Sequence, residues 1–70
     1  MSEVPLLERT LGRWKGKRVA IGIGNDTSFS GLLEDFDDEV ILLKEVIDYV
    51  GNRAKELLVK IDDVNWITLL

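Results

Sequence analysis

The sequence predicts a mostly β protein, with a short N-terminal helix followed by five strands curled into a small, strongly bent antiparallel barrel. Apolar residues recur at period two, as in Val19, Ile21 and Ile23, which argues for half-buried strands. Turn residues punctuate the chain at short intervals: Lys15-Gly16-Lys17, Asn25-Asp26, Gly51-Asn52 and Asp62-Asp63. Gly31 lies inside a long strand pattern, where it permits the sharp curl that a small barrel requires.

Residues 3 to 12 read as the helix. Ser2 or Glu3 is suited to cap it, Pro5 fits the first turn and Gly12 fits the stop. Leu7 and Leu11, extended by Leu6 and Trp14, form an apolar stripe that must pack on something, because a helix this short is not stable alone. The first strand is expected over 18–25 and the second over 27–36, with Phe29, Gly31 and Leu33 on one side. The third, over 39–46, is apolar on both faces and is expected to be covered on both. The fourth and fifth, over 56–61 and 64–69, are joined by the acidic pair Asp62-Asp63 in a tight turn or short 3₁₀ connection. With local hairpin connections throughout, the pattern is that of one SH3-like domain spanning residues 1–70.

A chain of 70 residues buries only about 60% of its unfolded surface, so its core is marginal without added support. With neither Cys nor His, disulfides and Cys/His metal sites are excluded, and self-association is the remaining route. No cofactor or metal is expected. An enzyme is disfavoured as well. No nucleophile stands in a catalytic setting, and Gly22-Ile23-Gly24 lacks the third glycine and following helix of a phosphate loop. No apolar run approaches the ~20 residues of a membrane span, and Met1-Ser2-Glu3 opens no leader, so a cytoplasmic protein without a membrane partner is expected.

The last two strands carry the assembly signal. Leu57, Leu58 and Val59, with Val64, Trp66 and Ile67, make them apolar on both faces, interrupted only by Lys60 and Asn65. Monomeric proteins protect sheet edges with charge, Pro or bulges. These residues are therefore the expected subunit interface, one edge pairing with a different edge of a neighbour, a geometry that closes into a ring.

The formal charge is −4, unlike strong nucleic-acid binders, which are usually basic. The charge is unevenly placed, however. Arg9, Arg13, Lys15, Lys17 and Arg18 cluster around Trp14, whereas Glu34, Asp35, Asp37, Asp38, Glu39, Asp62 and Asp63 come later.

Taken together, Pro5-Leu6, Val19-Ala20-Ile21, Gly31-Leu32-Leu33, Phe36-Asp37, Val40-Ile41-Leu42-Leu43 and the run Leu58 to Ile67 resemble the Sm-like (LSm) family, in particular its small archaeal members. The resemblance spans nearly the whole chain. It implies a helix-capped, five-stranded bent barrel that forms homo-oligomeric rings of six or seven subunits, pairing the fourth strand with a neighbour's fifth. It also implies a role in RNA metabolism or ribonucleoprotein assembly, with uridine-rich single strands held around the pore.

The family's RNA positions map onto Asp37, Glu39, Ile41, Lys60 and Ile61. Where the family usually offers a stacking side chain, often His, this chain has Glu39, and Ile41 replaces an Asn that reads the base. Lys60-Ile61 replaces the usual Arg-Gly. Glu39 cannot stack, and Ile41 cannot hydrogen-bond a base edge. Lys is a poor substitute for Arg at a stacked site. Two readings stay open. One is an RNA-associated ring that binds single strands weakly or through another surface, such as the basic face of Arg9, Arg13, Lys15, Lys17 and Arg18. The other is a structural or protein-interaction ring with an acidic pore and no RNA binding.

Overall fold

The computed structural model describes residues 5–70. Helix α1 (Leu6–Trp14) leads into strands β1 (Arg18–Ile23), β2 (Thr27–Phe36), β3 (Val40–Asp48), β4 (Arg53–Lys60) and β5 (Val64–Leu69), with a single 3₁₀ turn at Ile61–Asp63 between the last two. All pairings are antiparallel, and the sheet order is β4-β3-β2-β1-β5. The sheet is bent but not closed: β4 and β5 are its two edges and do not pair with each other.

The helix is shifted relative to the sequence expectation. Ser2 and Glu3, the expected caps, lie outside the described residues. Pro5 occupies the N-cap position instead of the first turn, without a side-chain cap. Gly12 does not stop the helix but lies within it, because the apolar stripe carries on to Trp14. The exit comes at Gly16, whose φ of +83° suits glycine alone. Only Leu11 of the helix is buried, while Trp14 is half-buried against the core and Leu6 and Leu7 stay exposed.

Two irregularities between β2 and β3 bend the sheet. Ser30 pairs with Ile47 and Leu32 with Lys44, so β3 carries one extra residue opposite Gly31. The compensating bulge follows on β2, between Leu33 and Asp35. Gly31 permits the first by close approach. A Cβ there would stand 2.8 Å from the Lys44 carbonyl oxygen and 3.2 Å from Val46 Cγ2. On the β3 side the bulge holds Glu45 at φ +51°, a left-handed conformation uncommon for a residue with a side chain.

The bulge also explains the altered boundaries. β3 runs on to Asp48 where the sequence suggested residue 46, and β4 begins at Arg53 rather than 56, because the turn between them spans only residues 49–52. Asp48 closes that turn. Its carboxylate accepts the backbone N–H groups of Val50 (3.0 Å) and Asn52 (2.8 Å) and the Asn52 side-chain amide (3.1 Å). At the other ends, β1 stops at Ile23 instead of 25, since Gly24 turns at φ +66°, and Ile61 leaves β4 for the 3₁₀ turn.

Pleating gives the sheet two faces. The inward face packs Val19, Ile21, Leu33, Ile41, Leu43, Val46 and Val59 with Leu11 into one core. The outward face is open. Contrary to expectation, β3 is not covered on both sides, for Val40 and Leu42 remain half-exposed and Leu58, paired with Leu42, is 64% exposed.

Candidate functional site

The β2–β3 turn and the 3₁₀ turn after β4 meet at one end of the sheet, where the Ile61 N–H donates to the Glu39 carbonyl at 2.9 Å. Asp37 shapes this end. Its carboxylate accepts the N–H groups of Glu39 (2.7 Å) and Val40 (2.8 Å), while its own N–H donates to the Val40 carbonyl at 3.0 Å. The hydrogen bond from Glu39, then that from Val40, holds the Asp37 carboxyl below its ordinary pKa. Asp37 is thus committed to fixing the turn.

Asp37, Asp38, Glu39, Val40, Lys60 and Asp62 line a cleft of about 330 Å³ beside this turn. The structure therefore brings together four of the family-pattern positions, Asp37, Glu39, Lys60 and Ile61, the last half-buried. The fifth is not among them. Ile41 is 1% exposed in the core, since on β3 it shares the inward parity of Leu43. The cleft offers carboxylates and one ammonium, an arrangement suited to cations and basic groups and unfavourable to phosphates.

A pH dependence follows. A depressed carboxyl stabilises the fold above its unfolded value, near 3.9, and that stability is lost as pH falls through the folded value. Asp37→Asn should lower the melting temperature at pH 7, and the deficit should shrink as pH falls through the folded value of the native carboxyl. A deficit independent of pH in thermal melts would show that the Asp37 charge contributes nothing.

The five basic residues of the helix and its exit do not form one face. Lys15 pairs with Asp35 at 3.3 Å, Arg9, Arg13 and Lys17 are exposed, and Trp14 packs on the core. Arg18 belongs elsewhere. It begins β1, and its guanidinium donates to the carbonyl of the bulged Glu45 at 3.3 Å. There it lines a cleft of about 540 Å³ that also holds Arg53 and Lys55. Those two were not singled out from the sequence, which separates them from Arg18 by more than thirty residues. Their spacing of two on one strand was the available signal.

The expected interface residues divide by face. Leu58 and Trp66 are exposed, Leu57, Val64 and Ile67 are half-buried, and Val59 lies in the core at 4% exposure. Val59 is therefore a packing residue of the single chain. Trp66 lies over Gly22, its partner in the β1–β5 ladder, where any Cβ would collide with the indole. The Asn65 side chain donates to the Gly24 carbonyl, tying β5 to the end of β1.

No family model matches the chain. Over 43 residues it is 51% identical to a probable serine/threonine-protein kinase of Dictyostelium discoideum, a match covering 61% of this chain but 3% of that one. It thus spans a small fraction of that curated relative. Among solved structures, it is similar to a conserved hypothetical protein from Pyrococcus furiosus at 55% identity, over 94% of this chain and 100% of that one, with a TM-score of 0.83. The heptamer of a P. aerophilum Sm-like protein matches at 24% identity over 97% of both chains, TM-score 0.84. A Pyrococcus abyssii Sm protein in complex with a uridine heptamer matches at 22% identity over 97% of this chain and 100% of that one, TM-score 0.82. The chain belongs to one family with the conserved P. furiosus protein, and its fold is the Sm-like fold of the archaeal type.

Proposed function

We propose that this chain is a ring-forming Sm-like protein associated with RNA, assembling from six or seven copies of itself. The observation that carries the reading is the open sheet, whose edge strands, β4 and β5, have no strand partner on their outer sides and bear the exposed Leu58 and Trp66. Pairing one edge with the other edge of a neighbour satisfies both and closes by rotation. The heptamer of the P. aerophilum protein supports assembly from several copies, and the uridine-bound P. abyssii protein supports the association with RNA.

The chemistry of the acidic end sets the terms of RNA binding. Repetition around a ring would gather Asp37, Asp38, Glu39 and Asp62 from every subunit at one face. A polyanion would be repelled there, and Ile41 is unavailable to a base. Single-stranded RNA is therefore bound weakly at the Asp37, Glu39, Lys60 and Ile61 positions, or on another surface. The second reading is a protein-interaction ring whose acidic face receives a basic partner. It is favoured by the same cleft, in which Lys60 is the one cation.

Native mass spectrometry with and without oligo-U and oligo-A separates the two. The RNA reading expects a six- or seven-fold multiple of the 7.9 kDa chain that gains oligonucleotide at low salt and loses it steeply as salt rises. A ring that stays bare at low salt with both oligonucleotides would favour the second reading. A single-chain mass would overturn both.

A further inference from the structure

The start of β4 packs on nothing. Arg53, Ala54, Lys55 and Glu56 are all exposed, without the alternation that a half-buried strand shows, and the outer edge of β4 has no strand partner. In the proposed ring, a neighbour's β5 of six residues cannot cover a β4 of eight. With the exposed Leu58 set beside Trp66 and the strands antiparallel, the overlap runs from Lys60 beside Val64 to Lys55 beside Leu69. The outer edge at Arg53 and Ala54 therefore stays open in the ring as in the single chain.

This open strand end borders the cleft of about 540 Å³ lined by Arg18, Arg53 and Lys55, with Glu45 as its one carboxylate. It is a local excess of positive charge on a chain whose net charge is −4. Among the described residues the salt bridges are Lys15 with Asp35 and Lys44 with Glu34, so none of the three cations is spent on a carboxylate. Arg18 is held in place by the bulge, its guanidinium donating to the Glu45 carbonyl. Its other donors remain for oxygen acceptors.

Arg53 and Lys55 lie two apart on one strand, so their side chains leave on the same side, about 6–7 Å from each other. An extended peptide with acidic side chains at alternate positions repeats at the same interval. Such a peptide also brings the N–H and C=O groups that continue a sheet at an open edge, which a polynucleotide lacks. The Glu45 carboxylate sharpens the distinction. It opposes a chain that carries a phosphate at every unit, whereas a peptide sets an uncharged residue there. The remaining lining residues, Val46, Ile47 and Ala54, are apolar.

We propose that the start of β4 docks an extended acidic segment of a partner protein, with carboxylates at alternate positions on Arg18, Arg53 and Lys55 and its backbone added to the open edge at Arg53 and Ala54. Main-chain hydrogen bonds supply affinity in strand addition, and the side chains select the sequence. The carboxylate pairs make binding fall with salt. The surface stands at the opposite end of β4 from the acidic cleft, which Lys60 borders at the strand's last residue. It is complete within one chain and so goes beyond the ring reading.

The test is fluorescence anisotropy of the full chain with two labelled ten-residue peptides, one of five Glu-Thr repeats and one of five glutamates followed by five threonines. The alternating peptide should bind at low salt, weaken as salt rises, and bind about fivefold or more tighter than the block peptide. Arg53→Glu with Lys55→Glu should weaken it by more than tenfold, with native mass spectrometry and circular dichroism showing an unchanged mass and fold. Arg9→Glu with Arg13→Glu, on the helix, should have little effect. A peptide still bound to a single chain in native mass spectrometry would remove the ring and leave this site standing. No binding of the alternating peptide at low salt, equal binding of the two peptides, or equal loss on the helix reversal would overturn the proposal. So would a wild type that takes labelled oligo-U but not the peptide and loses the oligo-U on the Arg53 and Lys55 reversal, which would assign the cleft to RNA.

Discussion

Leu58→Asp combined with Trp66→Asp is expected to reduce the proposed ring to a folded single chain of 7.9 kDa. Both side chains stand on the outward face of an edge strand: Leu58 is paired with the half-exposed Leu42, and Trp66 with Gly22. When β4 of one subunit meets β5 of the next, outward-facing residues become neighbours on the same face. Burying a large apolar side chain contributes roughly 1.5–3 kcal/mol. The two carboxylates would forfeit that at every junction and would face each other as like charges. Each subunit takes part in two junctions of a closed ring, so the loss recurs around the whole circle.

The single chain should survive the double substitution. Leu58 is 64% exposed and Trp66 49%, and neither belongs to the core built on Leu11, Ile21 and Leu43. Light scattering after size exclusion reads the mass, and circular dichroism reads the fold. An unchanged particle mass would mean that assembly uses a different surface.

Much of this architecture was legible before any coordinates. β2 was placed at its observed limits, and the alternation of Val19, Ile21 and Ile23 correctly marked a strand with an inward side. Parity also carried information about the site. Ile41 shares a face with Leu43, so its burial follows from the strand pattern even though the family pattern assigned that position to RNA. Three features were not legible, each for a physical reason. Gly12 looked like a stop because glycine is a poor helix former, yet tertiary packing of Leu11 and Trp14 overrides that preference. The Glu45 bulge has no signature, since nothing about glutamate announces a positive φ. The meeting of Arg18 with Arg53 and Lys55 depends on long-range strand order, which local sequence does not encode.

The bend itself yields the sharpest stability prediction. Gly31→Ala should lower the melting temperature by about 10 °C or more, and Gly31→Val should prevent folding. In an ordinary extended position the first change would stabilise by roughly 0.5–1 kcal/mol, because alanine loses less backbone entropy on folding than glycine. Sterics reverse the sign here. The added Cβ would stand 2.8 Å from the Lys44 carbonyl oxygen, a backbone atom held in the β2–β3 ladder. Relief requires shifting β3 at the bulge, and Val46 at 3.2 Å blocks the alternative. Overpacking of this kind costs roughly 1–3 kcal/mol, and in a domain of this size each kcal/mol moves the melting temperature by about 4–8 °C. Gly22→Ala is the control, since its Cβ would meet the indole of Trp66, a half-exposed side chain that can swing outward. It should shift the tryptophan emission to longer wavelength and cost less stability than Gly31→Ala. A melting temperature for Gly31→Ala within about 2 °C of wild type would mean that close approach at this residue does not set the bend.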